Sequence, residues 1–249
     1  MSFSRSPLRV ALIAQVGGGI AAAALIRLVY PQLSGIPLAA AALQGVCAAL
    51  IGNWLGSPKW WLPIHCGFLP AVVLASRLEI APSWYLAAFV LLLLVYWRTD
   101  QSRVPLYLSN AATALALEQL LPPQPCQVVD LGCGHGGLLR RLARARCDCR
   151  FVGIEHAPLP WLWARLASLA QANLKIRYGD FWQQDLAAFD IVYVFLSPVP
   201  MRRLMNKARA EMRSGTLLVS NSFAVPGQTP ERVVAVADRR STQLHCYRL

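Results

Sequence analysis

A chain of 249 residues with a net charge of +12 is long enough for one large domain or two small ones. Its charges divide it: residues 1–97 hold five basic residues and one acid, and the remainder holds nineteen basic and eleven acidic residues. A mean hydropathy of +0.42, concentrated at the front, excludes an ordinary water-soluble domain there, and seven cysteines without a C-x-x-C pair exclude a disulfide framework and a zinc site.

The uncharged runs of the front half cover residues 10–26, 28–58, 60–76 and 80–97. A spanning helix needs roughly 20 apolar residues, with about 17 the lower limit. The breaker-rich turn from Tyr30 to Pro37 reduces the second run to 37–55, and none of the four shows the polar face of a surface helix. The pattern predicts an all-α membrane region of about four helices. Pro63, His65, Gly67 and Pro70 interrupt the third run, which reads as a kinked span or a re-entrant pair. His65 reads as a hydrogen-bonding residue, because no second metal ligand lies near it. In the fourth run, an aliphatic stretch is bracketed by Trp84, Tyr85, Tyr96 and Trp97, as in an interfacial aromatic belt. The first run is too long for the apolar part of a secretory signal and is read as a retained span. With the N-terminus inside, Arg5, Arg9, Lys59, Arg98 and Arg103 fall inside and only Arg77 outside, with Arg27 at the outer end of the first helix. These counts predict a multi-pass protein of an inner or plasma membrane, with the domain after residue 97 cytoplasmic.

Residues 98–126 form a linker and a leading helix over 104–121, stopped by Pro122, Pro123 and Pro125. From 127 to 249 strand and helix patterns alternate, as in an α/β, Rossmann-like fold with a parallel sheet. Strands are expected at 127–131, 150–155, 174–178, 190–196, 215–220, 232–237 and 243–248, and helices near 137–146, 158–172 and 200–212. Cys147 and Cys149 are read as small buried residues.

The first of these strands runs into Asp130-Leu-Gly-Cys-Gly-His-Gly136 and then a basic helix. A buried strand, a tight glycine turn and a helix N-terminus let a nucleotide-like ligand approach the backbone closely. An acid before Gly132, Gly134 and Gly136 suits a cationic or hydroxyl-bearing ligand better than a pyrophosphate. The alternative is a glycine turn that binds nothing. Glu155 ends the second strand, about 20 residues on, where a carboxylate can accept from ribose hydroxyls or merely charge a helix N-terminus.

The D-x-G-x-G-x-G run resembles motif I of the class I S-adenosylmethionine-dependent methyltransferases, whose sheet ends in two strands with no helix between them. That resemblance implies a seven-stranded sheet, S-adenosyl-L-methionine as cofactor, Asp180 on the adenine amine and Phe181 against the ring; Asp180 is also a possible helix cap. It places the loop Phe195-Leu-Ser-Pro-Val-Pro-Met201 beside the transferred methyl, where Ser197 and Pro198 are substrate-side candidates, Ser197 as a positioning residue or as a cap. The Asn/Asp-Pro-Pro-aromatic motif of amine-modifying relatives is replaced there by Ser197-Pro198-Val199-Pro200.

A narrower resemblance lies in the run Glu155-His-Ala-Pro-Leu-Pro-Trp-Leu-Trp-Ala-Arg165, in Gly179-Asp-Phe-Trp182 with Asp185-Leu186, and in Pro198, Met201, Lys207 and Glu211. Gly215-Thr216 and Ser220-Asn-Ser-Phe223 with Pro226 continue it. These are similar to the family of the ATP synthase c-subunit and adenine nucleotide translocase lysine methyltransferases, over residues 105–237. His135 and Ala157 stand where an acid and an asparagine are expected. The resemblance implies a protein-lysine N-methyltransferase acting on a membrane protein, with positioning and amine deprotonation as the enzyme's share. The rivals are a lipid or quinone headgroup methyltransferase and a non-catalytic membrane scaffold. The basic residues are read as facing an anionic bilayer rather than nucleic acid, and no metal is expected.

Overall fold

The computed structural model describes residues 7–97 and 108–249. The chain divides into two compact units, residues 1–85 and 86–249.

The first unit is helical. Helix α1 (Pro7–Leu28) leads through a 3-10 turn (Pro31–Gly35) to α2 (Pro37–Trp54), then α3 (Trp61–Ala75). A further helix, α4 (Pro82–Val95), starts in this unit and ends in the next. Proline opens both the turn and α2 at the first-turn positions where its missing N–H costs nothing. Small residues let the backbones close up: a Cβ on Gly18 would meet the Ala48 Cβ at 2.7 Å, and one on Gly45 would collide with the Cys66 backbone. A polar thread ties the same three helices. Gln44 Nε2 donates to Gln15 Oε1 at 2.8 Å, and Gln15 Nε2 lies 3.2 Å from His65 Nδ1.

Four helices form where four spans were expected, but only two have spanning length: Arg9–Leu28 with 20 residues and Pro37–Trp54 with 18. The third and fourth have 15 and 14. At 1.5 Å per residue these reach only about 22 Å, against a hydrocarbon core of about 30 Å. The expected region of four membrane helices is thus reduced to two candidates, because the shorter runs lose their ends: Trp60 and Ser76 lie outside α3, and Ile80, Ala81, Tyr96 and Trp97 lie outside α4.

The second unit carries a seven-stranded sheet of order β3-β2-β1-β4-β5-β7-β6. The strands are β1 (Gln127–Leu131), β2 (Arg150–Glu155), β3 (Leu174–Tyr178), β4 (Ile191–Val194), β5 (Leu217–Asn221), β6 (Arg232–Ala235) and β7 (Gln243–Arg248). The first five run parallel; β7 enters antiparallel between β5 and β6. The two inner strands β1 and β4 are covered on both faces, which is why Val128–Val129 and Ile191–Val194 show no polar alternation. Helices α5 (Ala111–Glu118), α6 (Gly137–Ala145) and α7 (Pro158–Ala167) pack on one face through Leu117, Leu138, Leu142 and Ala164. Helix α8 (Pro198–Glu211) packs on the other through Met201, Leu204 and Met205. The order of β1 and β4 makes the carboxyl ends of these two strands the topological switch point, where open α/β sheets bind ligands.

The leading helix is shorter than its expected 104–121. Residues 104–107 lie outside the described residues, and Asn110 starts α5 by accepting from the Thr113 amide at 2.8 Å.

Candidate functional site

The site is assembled at the carboxyl ends of β1, β2 and β4. Asp130 is buried in β1, in register with Gly153 on one side and Tyr193 on the other. Beyond it the chain turns through Gly132, Gly134 and Gly136, whose φ angles are +86°, +54° and +70°. Side chains rarely adopt that region. At Gly136 a side chain would also be crowded, since a Cβ would lie 3.2 Å from the Ala164 Cβ. The turn therefore lies flat against α7 and opens its backbone toward the cleft.

Glu155 holds the turn in place. Its Oε2 accepts from the Gly134 amide at 2.7 Å, and its Oε1 accepts from the amides of His156 and Ala157, both at 2.8 Å. A carboxylate offers about four acceptor positions, so three are used by the backbone and one remains for a hydroxyl. Burial, then the Glu155 charge, hold the Asp130 carboxyl well above the usual carboxylate range.

Asp130, Gly132, Cys133, His135, Gly137, Tyr193 and Phe195 line a cleft together with Leu108 and Ser109. His135, which replaces an expected acid, has a buried Nδ1 with no hydrogen-bond partner among the described residues. Burial and the nearby Arg140 lower its pKa, so the ring is a neutral imidazole with one unused polar atom. These features fit S-adenosylmethionine: a buried carboxyl for a cation, an unpaired ring nitrogen, glycines that admit a ligand to the backbone, and a carboxylate with one acceptor position open. Asp180 Oδ1 accepts from the Trp182 amide at 3.0 Å, so it does cap the 3-10 turn Phe181–Gln183, using one of its two oxygens. Phe181 packs against Trp182 with ring centroids 4.9 Å apart, and Arg203 covers Trp182 at 4.1 Å.

Sequence reasoning missed three residues. The buried Tyr193 hydroxyl lies 2.7 Å from Ser109 Oγ and accepts from Asn221 Nδ2 at 2.7 Å. Ser109, Asn221 and Phe195 then line a second cavity of about 210 Å³ with Asn110, Thr113 and Arg240. Leu108, Ser109 and Phe195 are common to both spaces, so the second opens beside the first. The only sequence signal was the presence of a tyrosine and an asparagine in otherwise apolar strands. Ser197 and Pro198 stand at the start of α8, but neither is among the residues lining these two cavities, and the Ser197 hydroxyl does not cap the helix. Among the described residues no group of His, Cys, Asp and Glu could hold a metal ion.

Residues 130–232 match the family model of the ANTKMT methyltransferase domain. The adenine nucleotide translocase lysine N-methyltransferase of Mus musculus is 35% identical over 143 residues, which is 53% of this chain and 61% of that protein. A protein-lysine N-methyltransferase of Saccharolobus islandicus is 29% identical over 115 residues, 45% of this chain and 71% of that one. The chain thus spans about three fifths of the mouse relative's length. Among solved structures, an RNA methyltransferase from Salinibacter ruber in complex with S-adenosyl-L-homocysteine superposes with a TM-score of 0.52 at 23% identity, covering 57% of this chain and 93% of that one. At that identity the likeness concerns the fold.

Proposed function

We propose that this chain, whose residues 130–232 form an S-adenosylmethionine-dependent methyltransferase domain of the ANTKMT kind, is a membrane-associated protein-lysine N-methyltransferase whose target is itself a membrane protein. The observation that carries the reading is the Glu155 carboxylate clamped on a turn of three left-handed glycines, beside a buried Asp130, within the segment that matches the family.

S-adenosylmethionine supplies a methyl group activated on a sulfonium centre. The chain supplies the rest. Glu155 offers its remaining acceptor position to a ribose hydroxyl, and Phe181 with Asp180 borders the adenine. Asp130 would lie beside the cofactor's cationic part, which would favour the ionised form of a carboxyl whose pKa burial raises. The target side chain enters through the cavity of Ser109 and Asn221, whose neutral polar atoms can hold an amine, while Arg240 on the same lining disfavours its charged form. Tyr193 fixes both of them. No acid–base residue is required inside that cavity, because the amine needs only to arrive deprotonated and aligned.

Helices α1 and α2 act as an anchoring hairpin, with the catalytic unit on the side of the N-terminus. Arg5, Arg9 and Lys59 flank that hairpin on one side, while the connecting residues 29–36 carry no charge. Mass spectrometry of the membrane proteome, with and without the protein, tests the function. The expected result is loss of lysine methylation on a membrane protein. Transfer of radiolabelled methyl into solvent-extractable lipid instead would replace this reading with a headgroup methyltransferase.

A further inference from the structure

Helix α7 buries the wrong residues for a helix that faces water. Its fully buried positions are small, Ala157, Pro160, Ala164 and Ser168 at spacings of three and four, with Trp161 half-buried against the core beside them. Four other large apolar side chains point outward, with Leu162 43% exposed, Trp163 64%, Leu166 57% and, just past the helix end, Leu169 75%. Scattered exposed leucines are ordinary, but a contiguous apolar stripe on one helix marks a docking surface.

Charge identifies the occupant. Helix α6 lies beside α7 on the same face of the sheet, and Gln171 from the end of the α7 segment donates to the Arg140 carbonyl at 2.9 Å. The outward side of α6 presents Arg141 and Arg144, and α7 adds Arg165. Residues 137–172 contain six arginines against two acids, Asp148 and Glu155. Asp148 is paired with Arg146, and Glu155 is folded into the glycine turn. A tryptophan and leucines flanked by arginines, with no free acid alongside, are the composition of a helix that lies in the boundary of an anionic bilayer. A water-soluble protein partner with a complementary acidic rim is the less economical occupant, because the front of this chain already contains two apolar helices of spanning length.

We propose that the outward face of α7, with the basic face of α6 beside it, docks the catalytic unit on an anionic lipid surface. The inference is independent of the methyl-transfer reading, since none of these side chains belongs to the cofactor cradle. A photoreactive benzophenone side chain at Leu166 tests it in the full chain, reconstituted in phosphatidylcholine vesicles with about one third phosphatidylglycerol. The same group at Ala210, exposed on α8 across the sheet, is the control. Irradiation should join the Leu166 variant to lipid, with a yield several-fold above the Ala210 variant and several-fold lower in pure phosphatidylcholine. Unchanged S-adenosylmethionine affinity of the Leu166 variant verifies its fold. Adducts to a second copy of the chain, adducts within the same chain, equal lipid labelling from Ala210, or no adduct would each overturn the proposal.

Discussion

Asp130 and Glu155 do different work although both are carboxylates in one cradle, and their substitutions separate the two. The carboxyl of Asp130 has its folded pKa raised by burial and by Glu155. A raised carboxyl pKa means that the folded state binds more protons than the unfolded one, so stability falls as pH rises from the ordinary carboxylate value of about 3.9 through the folded value. Asp130→Asn should abolish that fall, raising the melting temperature of the cofactor-free protein at neutral pH while weakening S-adenosylmethionine binding by at least tenfold. A cation beside Asp130 should lower the carboxyl's pKa, so binding should release protons over the pH range of that titration; calorimetry in buffers of different ionisation enthalpy across pH reads it directly, and a heat independent of buffer at every pH would count against Asp130 facing a cation. Glu155→Ala removes three hydrogen bonds to a charged acceptor, each of about 1.5–3 kcal/mol, and should eliminate measurable cofactor affinity in a protein that still inserts and folds. Tyr193→Phe leaves the buried Asn221 amide without an acceptor, a cost of about 1–3 kcal/mol, visible as a lower melting temperature in detergent. The glycines, Asp130 and Glu155 were legible in the sequence because they lie within 26 positions of one another and obey a spacing. Ser109 and Tyr193 were not, because they meet across 84 positions and only the completed sheet brings them together.

Elements were legible where periodicity was reinforced by a breaker. The strands at 127–131, 150–155, 174–178 and 243–248 form at their expected bounds, each bounded by turn residues or the chain end. Helix α7 stops at Ala167 instead of 172, because Ser168 turns its hydroxyl back onto the Ala164 carbonyl at 2.6 Å and the chain tightens there. The lengths of the front helices were less legible for a different reason: freedom from charge measures solubility in lipid, and helix length depends on turns that are themselves apolar. The glycine turn gives a graded test of this local geometry. Gly136→Ala meets both a left-handed φ and the Ala164 Cβ at 3.2 Å, whereas Gly132→Ala meets only the φ, its nearest neighbour being Leu196 at 3.7 Å. The first should destabilise by more than the 1–2 kcal/mol of a left-handed alanine and the second by about that amount; equal losses in denaturant melts would show that α7 yields to the added methyl. A reporter inserted at Glu79 separates two spans from four. With α1 and α2 alone crossing, it reports from the same side as both termini.

At the scale of the molecule, an even number of spans keeps the N-terminus and residue 249 on one side, so reporter fusions at both ends should give the same compartment. The class of fold followed from the alternation of residues 127–249, but the division into units of 1–85 and 86–249 could be drawn only from packing. Replacing residues 1–97 with an unrelated anchor of the same exit side should preserve methylation if the front unit serves only to hold the enzyme at the membrane; a swap that still binds cofactor yet fails to methylate would give that unit a part in recognising the target. One detail of the cleft also sets what the enzyme can touch. Leu108, Ser109 and Asn110 line the entry cavity, so its wall begins only thirteen residues after Val95 ends α4. A fully extended chain covers at most about 3.6 Å per residue, so the mouth of the active site stays within about 47 Å of that helix end. If α4 lies against the membrane that α1 and α2 are proposed to cross, the connection is a ruler: a lysine carried far from the bilayer is out of range however well its sequence fits, and selectivity begins with altitude.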